Sequence, residues 1–491
     1  MSCRSEADAY GTAEIPAGAY WGPQTERSRL LFAIGTERLP SEAVRCFGAH
    51  KAAAARVNRA LDLLPAALAE PIVLAAEEMR DGRFDEQFPI ALWQTGSGTQ
   101  TNMNANEVIA NRANELLGRP LGSRHPVHPN DHVNLGQSSN DTFPTVMHLC
   151  VVRAVFGRLG PATEALRAEL DARADEFHRH VKLGMTHLQD ALPITLGMEF
   201  RTWSVQLDAA WTAIAHAAAQ LCEIPQGGTA SGSGVNGDPA FARLVAEELG
   251  AFAGRPLRAS AMPSRLMASH DGFAALCGTL SVLAGVLTKV YNDIRLLTSS
   301  LGGPPTMTLP DEGLSSSIMP AKRNATVCEA VIQACQRVMG NGATVMIANS
   351  AGALQLNTSK PLILADTMNA IGLLADAQRL LGTGCIRGLQ ADRERLARAL
   401  ERSPVLGTVL APEIGYDAAA RLIRTAMAEG RSVREIVERE GAMSEASYDA
   451  SIARALDADR LDAGARAPDA ATRAGGRDGQ GHGHDSGSQT P

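Results

Sequence analysis

Residues 273–301, FAALCGTLSVLAGVLTKVYNDIRLLTSSL, place apolar side chains at Phe273, Leu276, Leu280, Leu283, Leu287, Val290, Ile294, Leu297 and Leu301. The steps alternate between three and four residues, the pattern of a helix that packs its seam on other helices. Pro263 stands before this stretch and Gly302-Gly303-Pro304-Pro305 after it, so it predicts one helix of about 30 residues, roughly 45 Å long. Stretches 146–181 and 199–222 read as helices too, the first kinked or broken at Gly157 and Gly160-Pro161. Two more follow at 326–349 and 360–381. The fold class predicted is all-α in the main, with a long central helix bundle. Its seam is expected to extend between subunits of a homo-oligomer.

Working outward, residues 1–145 mix helix with Gly, Pro and Asn punctuation and form an N-terminal domain. Residues 146–390 form the central helical domain, including a loop at 302–325. Residues 391–462 form a small helical domain broken at Pro404 and at Pro412 to Gly415. The tail, 463–491, is rich in Gly, Asp and Ser and is expected to be disordered, its His482 and His484 solvated. Of 491 residues, 45% are hydrophobic and 20% charged, which excludes disorder of the whole chain. Aromatics at 4% argue against a sandwich or barrel. A net charge of −7 offers no basic surface to a nucleic acid, so none is expected as partner. Eight cysteines without a CxxC pair suit reduced thiols. The N-terminus lacks the apolar run of a signal peptide, and no uninterrupted run of 18 apolar residues occurs. A soluble cytoplasmic protein without membrane contact is the expectation.

Four polar islands interrupt this helical texture, and such runs are costly unless they cap helices or line a site. In the first, Trp93 to Glu107, Gly96 and Gly98 permit a tight turn while Ser97 and Thr99 present hydroxyls and N–H groups where a helix begins. That arrangement suits a carboxylate, although a plain N-cap accounts for Gly-Ser-Gly-Thr as well. In the second, His128 to Asn134 leads into Ser138, Ser139 and Asn140 ahead of a helix starting near Pro144. The third is Thr186 to Asp190, where His187 near a helix start is either structural or a proton-transfer group. The fourth, Ser315 to Asn324, reads as a mobile loop in which Lys322 and Asn324 could grip the same ligand as the serines. Glu329, five residues beyond Asn324, could orient a histidine. A further run, Gly227 to Gly234, lacks the Lys-Ser/Thr of a phosphate loop and a preceding strand, and reads as a turn of close backbone approach.

Taken together, WQTGSGTQTNMNANEVIANRA at 93–113, HPNDHVNLGQSSNDTFPT at 128–145, THLQDALPITLG at 186–197 and SSSIMPAKRN at 315–324 resemble the fumarase/aspartase superfamily, most closely the class II, iron-free fumarases. GTAEIPAGAYWGPQTERS at 11–28 and Pro412 to Asp417 fit as well, so the resemblance spans roughly residues 8 to 460. It implies a three-domain, mostly helical subunit in a homotetramer, with each active site shared between subunits. It implies reversible anti hydration of fumarate to L-malate through an aci-carboxylate intermediate, without metal or organic cofactor. Ser316 then resembles the general base, and His187, oriented by Glu329, the acid for the departing hydroxide. Lys322, Asn324, Thr186 and Ser317 resemble donors to the developing dianion. Ser97, Thr99, Asn102, Ser138, Ser139 and Asn140 match the remaining substrate contacts. His128, Asn130 and Asp131 match a secondary anion site.

The chain departs from the fumarase pattern at Ser315, where Gly is usual, at Ala321-Lys322-Arg323 in place of Gly-Lys-Val, and at Gln355 in place of Glu. Pro-Ala-Lys and Gln-Leu-Asn are common in the aspartase branch, whereas Gly96 to Thr99 and Ser138 to Asn140 are fumarase-like. Aspartate ammonia-lyase, another lyase acting on a substituted succinate, and an inactive tetrameric binding or scaffold protein therefore stand as alternatives. The sequence alone leaves open whether Arg323 faces ligand or solvent.

Overall fold

The computed structural model describes residues 2–463 apart from 302–304, 315 and 321. The tail from 464 on lies outside the described residues, as do Gly302-Gly303-Pro304 and the loop positions Ser315 and Ala321.

In chain order the elements are β1 (Cys3–Asp8), β2 (Gly11–Pro16), α1 (Pro23–Leu31), α2 (Ser41–Ala60), α3 (Ala66–Arg80), α4 (Thr99–Leu116), α5 (Ser139–Ala154) and α6 (Gly160–Glu176). Next come β3 (Val181–Thr186), β4 (Gln189–Thr195), α7 (Leu196–Gln220), β5 (Glu223–Ile224), α8 (Phe241–Ala253), β6 (Arg258–Ala259), α9 (Pro263–Ala268) and α10 (Asp271–Leu297). The chain continues through β7 (Met307–Thr308), α11 (Thr326–Asn349), α12 (Lys360–Gly384), β8 (Gln390–Ala391) and α13 (Arg393–Arg402), then short helices as far as Leu461. The fold is mainly helical, and the strands pair only two by two.

The described residues form two units. The larger takes the chain up to Glu169, from Val205 to Leu301 and from Leu309 to Leu389. Within it, α10 packs on α11 and α12, and α12 packs on α5. The seam residues Phe273 to Ile294 are all buried, and Ala274, Cys277, Ala284 and Tyr291 widen the apolar stripe. A fully buried Leu or Val of this kind contributes about 1.5–3 kcal/mol. By length and composition α10 could cross a membrane; here its seam lies against the neighbouring helices of the bundle. It stops at Leu297, four residues short of the seam's last member, and Leu301 is exposed. Two side chains divert the chain there: Thr298 Oγ1 donates to the Ile294 carbonyl, and Ser299 Oγ accepts from the Leu301 N–H. The expected break near Gly157 is a π-helical turn, Val155–Leu159, between α5 and α6.

The smaller unit takes Leu170–Ser204, residues 305–308 and the chain from Gln390 to Ala463. Phe177, Phe200 and Trp203 pack with tilted rings, their centroids 5.3 and 4.6 Å apart. Its C-terminal helices enclose Leu410, Leu422, Ile436, Val437 and Tyr448. Residues 181–195, between the two stretches read as helices, form an antiparallel hairpin with a bulge at Gly184. A Cβ at Gly184 would stand 2.8 Å from the Leu192 carbonyl oxygen, so the strands close only over a glycine. The hairpin turns through His187 and Leu188, at φ 55° and 59°, the two left-handed positions of a type I′ turn. His187 thus sits at a hairpin tip and not at a helix start.

Candidate functional site

Two helix N-termini carry two of the four polar islands. α4 begins at Thr99 behind Gly98, whose φ is +77°. A Cβ on Gly98 would lie 2.1 Å from the Phe143 ring of α5, so glycine brings the two helix starts together. The turn ahead is docked from behind, because the Gly96 carbonyl accepts from the Lys360 N–H at 3.0 Å. Neither Ser97 nor Thr99 caps α4; their hydroxyls pair with each other at 2.9 Å. The Gln94 side chain takes the Thr101 N–H at 3.1 Å and the Asn102 N–H closes the first helical bond to Gly98. The Thr99 and Gln100 N–H groups have no acceptor among the described residues, and a carboxylate placed there meets the positive end of α4.

α5 begins at Ser139, five residues earlier than Pro144 suggests, and Pro144 is accommodated inside the helix. Ser138 is the N-cap of a capping box: its Oγ accepts from Asn140 N at 3.2 Å while its own N–H donates to Asp141 Oδ1 at 2.9 Å. Ser139 and Asn140 are therefore not consumed as the cap. Asn140 Nδ2 donates to the Ala230 carbonyl at 2.8 Å. Ser139 Oγ accepts from Asn102 Nδ2 at 2.9 Å, which ties the first turn of α4 to that of α5.

Behind these donors lies a buried polar layer. Lys51 of α2 is wholly buried and donates from Nζ to Gln137 Oε1 at 2.8 Å and to Asn134 Oδ1 at 3.1 Å. Asn102 and Asn106 also donate to Asn134 Oδ1, at 3.1 and 3.2 Å. Burial pulls the Lys51 ammonium down to about 7, against the attraction of Asp141. Burial likewise pushes the Asp141 carboxyl up to about 6, although the Ser138, Thr229 and Gly227 N–H groups all favour its anion. Asp141 Oδ2 accepts from Gly227 N at 3.1 Å and Thr229 N at 2.9 Å. The Gly-rich run thus serves an internal carboxylate. It follows a short strand after all, Glu223–Ile224, and a Cβ at Gly232 would lie 2.4 Å from that of Ser264, in keeping with a turn of close approach.

His128, Asn130 and Asp131 sit on a π-helical turn, Pro129–Val133. His128 Nδ1 accepts from the N–H groups of Asn130 (3.3 Å) and Asp131 (3.2 Å), and its Nε2 faces Arg124 at 2.7 Å. Burial chiefly lowers the His128 pKa, with Arg124 and His132 adding to it and Asp131 opposing. Asn130 reaches the Met103 sulfur on α4 at 3.6 Å, so this turn adjoins the α4 start.

In the loop ahead of α11, Ser316 Oγ accepts from the Met319 N–H at 3.3 Å. Ser317, Lys322 and Asn324 are exposed. Arg323 pairs with Asp311 of the same loop at 3.2 Å. Among the described residues no hydrogen bond joins Ser316, Ser317, Lys322 or Asn324 to the α4 and α5 starts. Glu329 lies exposed in the first turn of α11, and Thr186 and His187 belong to the hairpin of the smaller unit. One chain therefore brings together Ser97, Thr99, Asn102 and Ser138 to Asn140, with the His128 turn beside them. Sequence reading passed over Lys51; its signal was His50-Lys51 inside an otherwise alanine-rich helical run, GAHKAAAARVN.

Comparison with known proteins gives the same outline along most of the chain. A family model described as Lyase matches residues 11–340, and one described as Fumarase C C-terminus matches residues 406–454. The chain is 45% identical over 447 residues to fumarate hydratase class II 2 of Bradyrhizobium diazoefficiens, covering 91% of this chain and 94% of that one. It is 46% identical to fumarate hydratase class II 1 of Pseudomonas aeruginosa, covering 91% and 96%. Among solved structures, class II fumarase from Schistosoma mansoni superposes with a TM-score of 0.90 at 35% identity, covering 93% of this chain and 99% of that one.

Proposed function

The chain belongs to the fumarase/aspartase superfamily of lyases, and from that premise we propose that it hydrates fumarate to L-malate reversibly. The observation that carries this reading is the meeting of two helix N-termini, where Ser97, Thr99 and Ser139 offer hydroxyls beside the unspent N–H groups of Thr99 and Gln100. Such a cradle suits a carboxylate of a small dicarboxylate.

In this reading Ser316, as its alkoxide, takes the C3 proton of malate. The Met319 N–H already directed at Ser316 Oγ and the Lys322 ammonium stabilise that alkoxide. The electron pair left on C3 delocalises into the adjacent carboxylate, and Lys322, Asn324, Thr186 and Ser317 stabilise the resulting dianion more than the ground state. The C2 hydroxyl then departs as water on accepting a proton from His187, which Glu329 orients. The site is completed between subunits of a homotetramer, which accounts for a single chain holding these groups in separate elements. Apolar surface left on the bundle, Val282 of α10 with Met339, Met346 and Ile347 of α11, supports that assembly. His128, Asn130 and Asp131 form a second anion site at the approach, and the enzyme works in the cytoplasm without metal or cofactor.

The test is ultraviolet absorbance of fumarate formed from L-malate, with L-aspartate in parallel. Rapid signal from malate alone supports the hydratase. Signal from aspartate alone replaces it with an ammonia-lyase, and silence in both overturns each.

A further inference from the structure

The hairpin that carries Thr186 and His187 is buried at its base and exposed at its tip. Lys182, Leu183 and Gly184 are buried, whereas every residue from Met185 to Asp190 is exposed. His187 and Leu188 hold left-handed backbone without being glycine, and such strain persists only where the surroundings over-determine it. Packing within the chain does not hold this tip. A hydrogen bond does: Ser403 Oγ donates to Asp190 Oδ2 at 2.8 Å. Among the described residues it is the only side-chain hydrogen bond that Met185 to Asp190 make. Asp190 pairs with Met185 across the ladder, one rung below the closing pair of Thr186 and Gln189.

Ser403 is a fixed post. Its N–H closes α13 on the Ala399 and Leu400 carbonyls, at 3.1 and 3.2 Å, and its own carbonyl accepts from the Leu406 N–H at 3.2 Å. It stands at the N-cap of a 3₁₀ turn, Pro404–Leu410, yet its hydroxyl caps nothing there and is spent on Asp190. The hairpin base is held separately. The Leu196 N–H donates to the His180 carbonyl at 2.8 Å, and Lys182 pairs with Glu199 at 2.8 Å. His178, three residues ahead of β3, faces Asp462 from Nδ1 at 2.9 Å and Asp459 from Nε2 at 2.8 Å, at the short helix Ala458–Leu461. Breaking the Ser403 bond therefore frees the tip and leaves the base in place.

We propose that Ser403 is a positioning residue for the hydration reaction: through Asp190 it mounts the hairpin tip on the C-terminal helices and so sets where Thr186 and His187 stand. This rests on the reading of His187 as the acid and Thr186 as a donor. Ser403 touches no substrate; its effect passes through Asp190 and the last rungs of the ladder. Proton transfer needs the two heavy atoms within hydrogen-bond reach, and a displacement of about 1 Å can cost as much as ~100-fold in rate.

Kinetics of malate dehydration, calorimetric binding of succinate and hydrogen-exchange mass spectrometry test it together. Ser403→Ala and Asp190→Ala each lower kcat and kcat/KM equally, by about five- to tenfold, with the succinate Kd changed less than about twofold. Both remove one bond, so the double variant is no slower than the poorer single one. Asp190→Asn keeps an oxygen for the Ser403 hydroxyl and retains at least about half the wild-type kcat. In Ser403→Ala the amides of Met185–Leu192 exchange about three- to tenfold faster, and those of His178–Leu183 keep the wild-type rate. Losses that multiply in the double variant, an unchanged kcat, a Kd that rises as far as kcat falls, or no rescue by Asp190→Asn overturn the proposal. So does exchange that stays unchanged or quickens along the whole hairpin. A wild type that does not dehydrate malate defeats the hydratase; faster exchange confined to the tip then still supports the mount, and unchanged exchange overturns it as well.

Discussion

Asn102 Nδ2 stands 2.9 Å from Ser139 Oγ, a bond that links the first turn of α4 to the first turn of α5. Each helix brings its own positive end, and this contact fixes the distance between them. Asn102→Ala removes it and leaves Asn134 with fewer donors. The expected outcome is a fall in kcat/KM for fumarate of about 10- to 100-fold, equivalent to ~1.4–2.8 kcal/mol, carried mostly by KM. Steady-state kinetics on the folded variant check it, and an unchanged KM would remove Asn102 from the account.

The approach of α4 to α5 depends on Gly98. Its φ of +77° disfavours any side chain, and a Cβ would meet the Phe143 ring. Gly98→Ala should cost about 2–4 kcal/mol in stability, from backbone strain and overpacking together. A thermal melt should register this as a drop in Tm; a Tm within a degree of wild type would contradict it.

His187 offers a substitution in which folding and chemistry separate. Asn tolerates the left-handed backbone at a type I′ turn better than His does, so His187→Asn should keep or slightly raise Tm. It removes the proposed acid, so malate dehydration should fall by about 10²- to 10⁴-fold. Melting and initial rates measured on one preparation decide it. Full activity in a well-folded variant would reassign the proton donor.

Lys360 gives a prediction about pH. It is fully inaccessible, donates to the Asn357 carbonyl at 2.6 Å, and burial pulls its pKa from the ordinary 10.5 down to about 7. The unfolded chain keeps this proton to pH ~10, whereas the folded chain releases it near neutrality. Between those values the unfolded state binds more protons, so stability attributable to Lys360 rises with pH, by up to ~1.4 kcal/mol per pH unit. The cost of burying the charge is fully present below pH ~7 and disappears as pH rises towards 10. Lys360→Met lacks this dependence. Denaturant unfolding of both proteins at pH 7.0 and 8.5 should show the variant's advantage shrinking as pH rises, and an advantage that grows would contradict the assignment.

The parts of this fold legible in the sequence are those where one periodicity acts alone. The 273–301 seam announced α10, because side chains three and four apart face the same neighbours, and α11 occupies Thr326–Asn349 as read. Leu301 continued the seam in sequence but not in space, since Thr298 and Ser299 bond the backbone locally and end the helix. The 181–195 hairpin was obscured by its turn. His187-Leu188 holds two left-handed positions without the Asn or Gly that advertises them, and a packed hairpin carries that strain. Serines and glycines at helix starts were visible as candidate donors, because in such runs they either cap the helix or present hydroxyls and N–H groups to a ligand. Lys51 was not visible: what makes it consequential is the burial of one ammonium against Asn134 and Gln137, more than 80 residues away in the chain.

The most direct test of the central claim is proton NMR of fumarate incubated with the protein in D2O. Anti hydration with Ser316 and His187 on opposite faces predicts L-malate carrying one deuteron at C3, as a single diastereomer identified by its coupling constant. Unchanged fumarate, or malate deuterated without stereochemical preference, would contradict it.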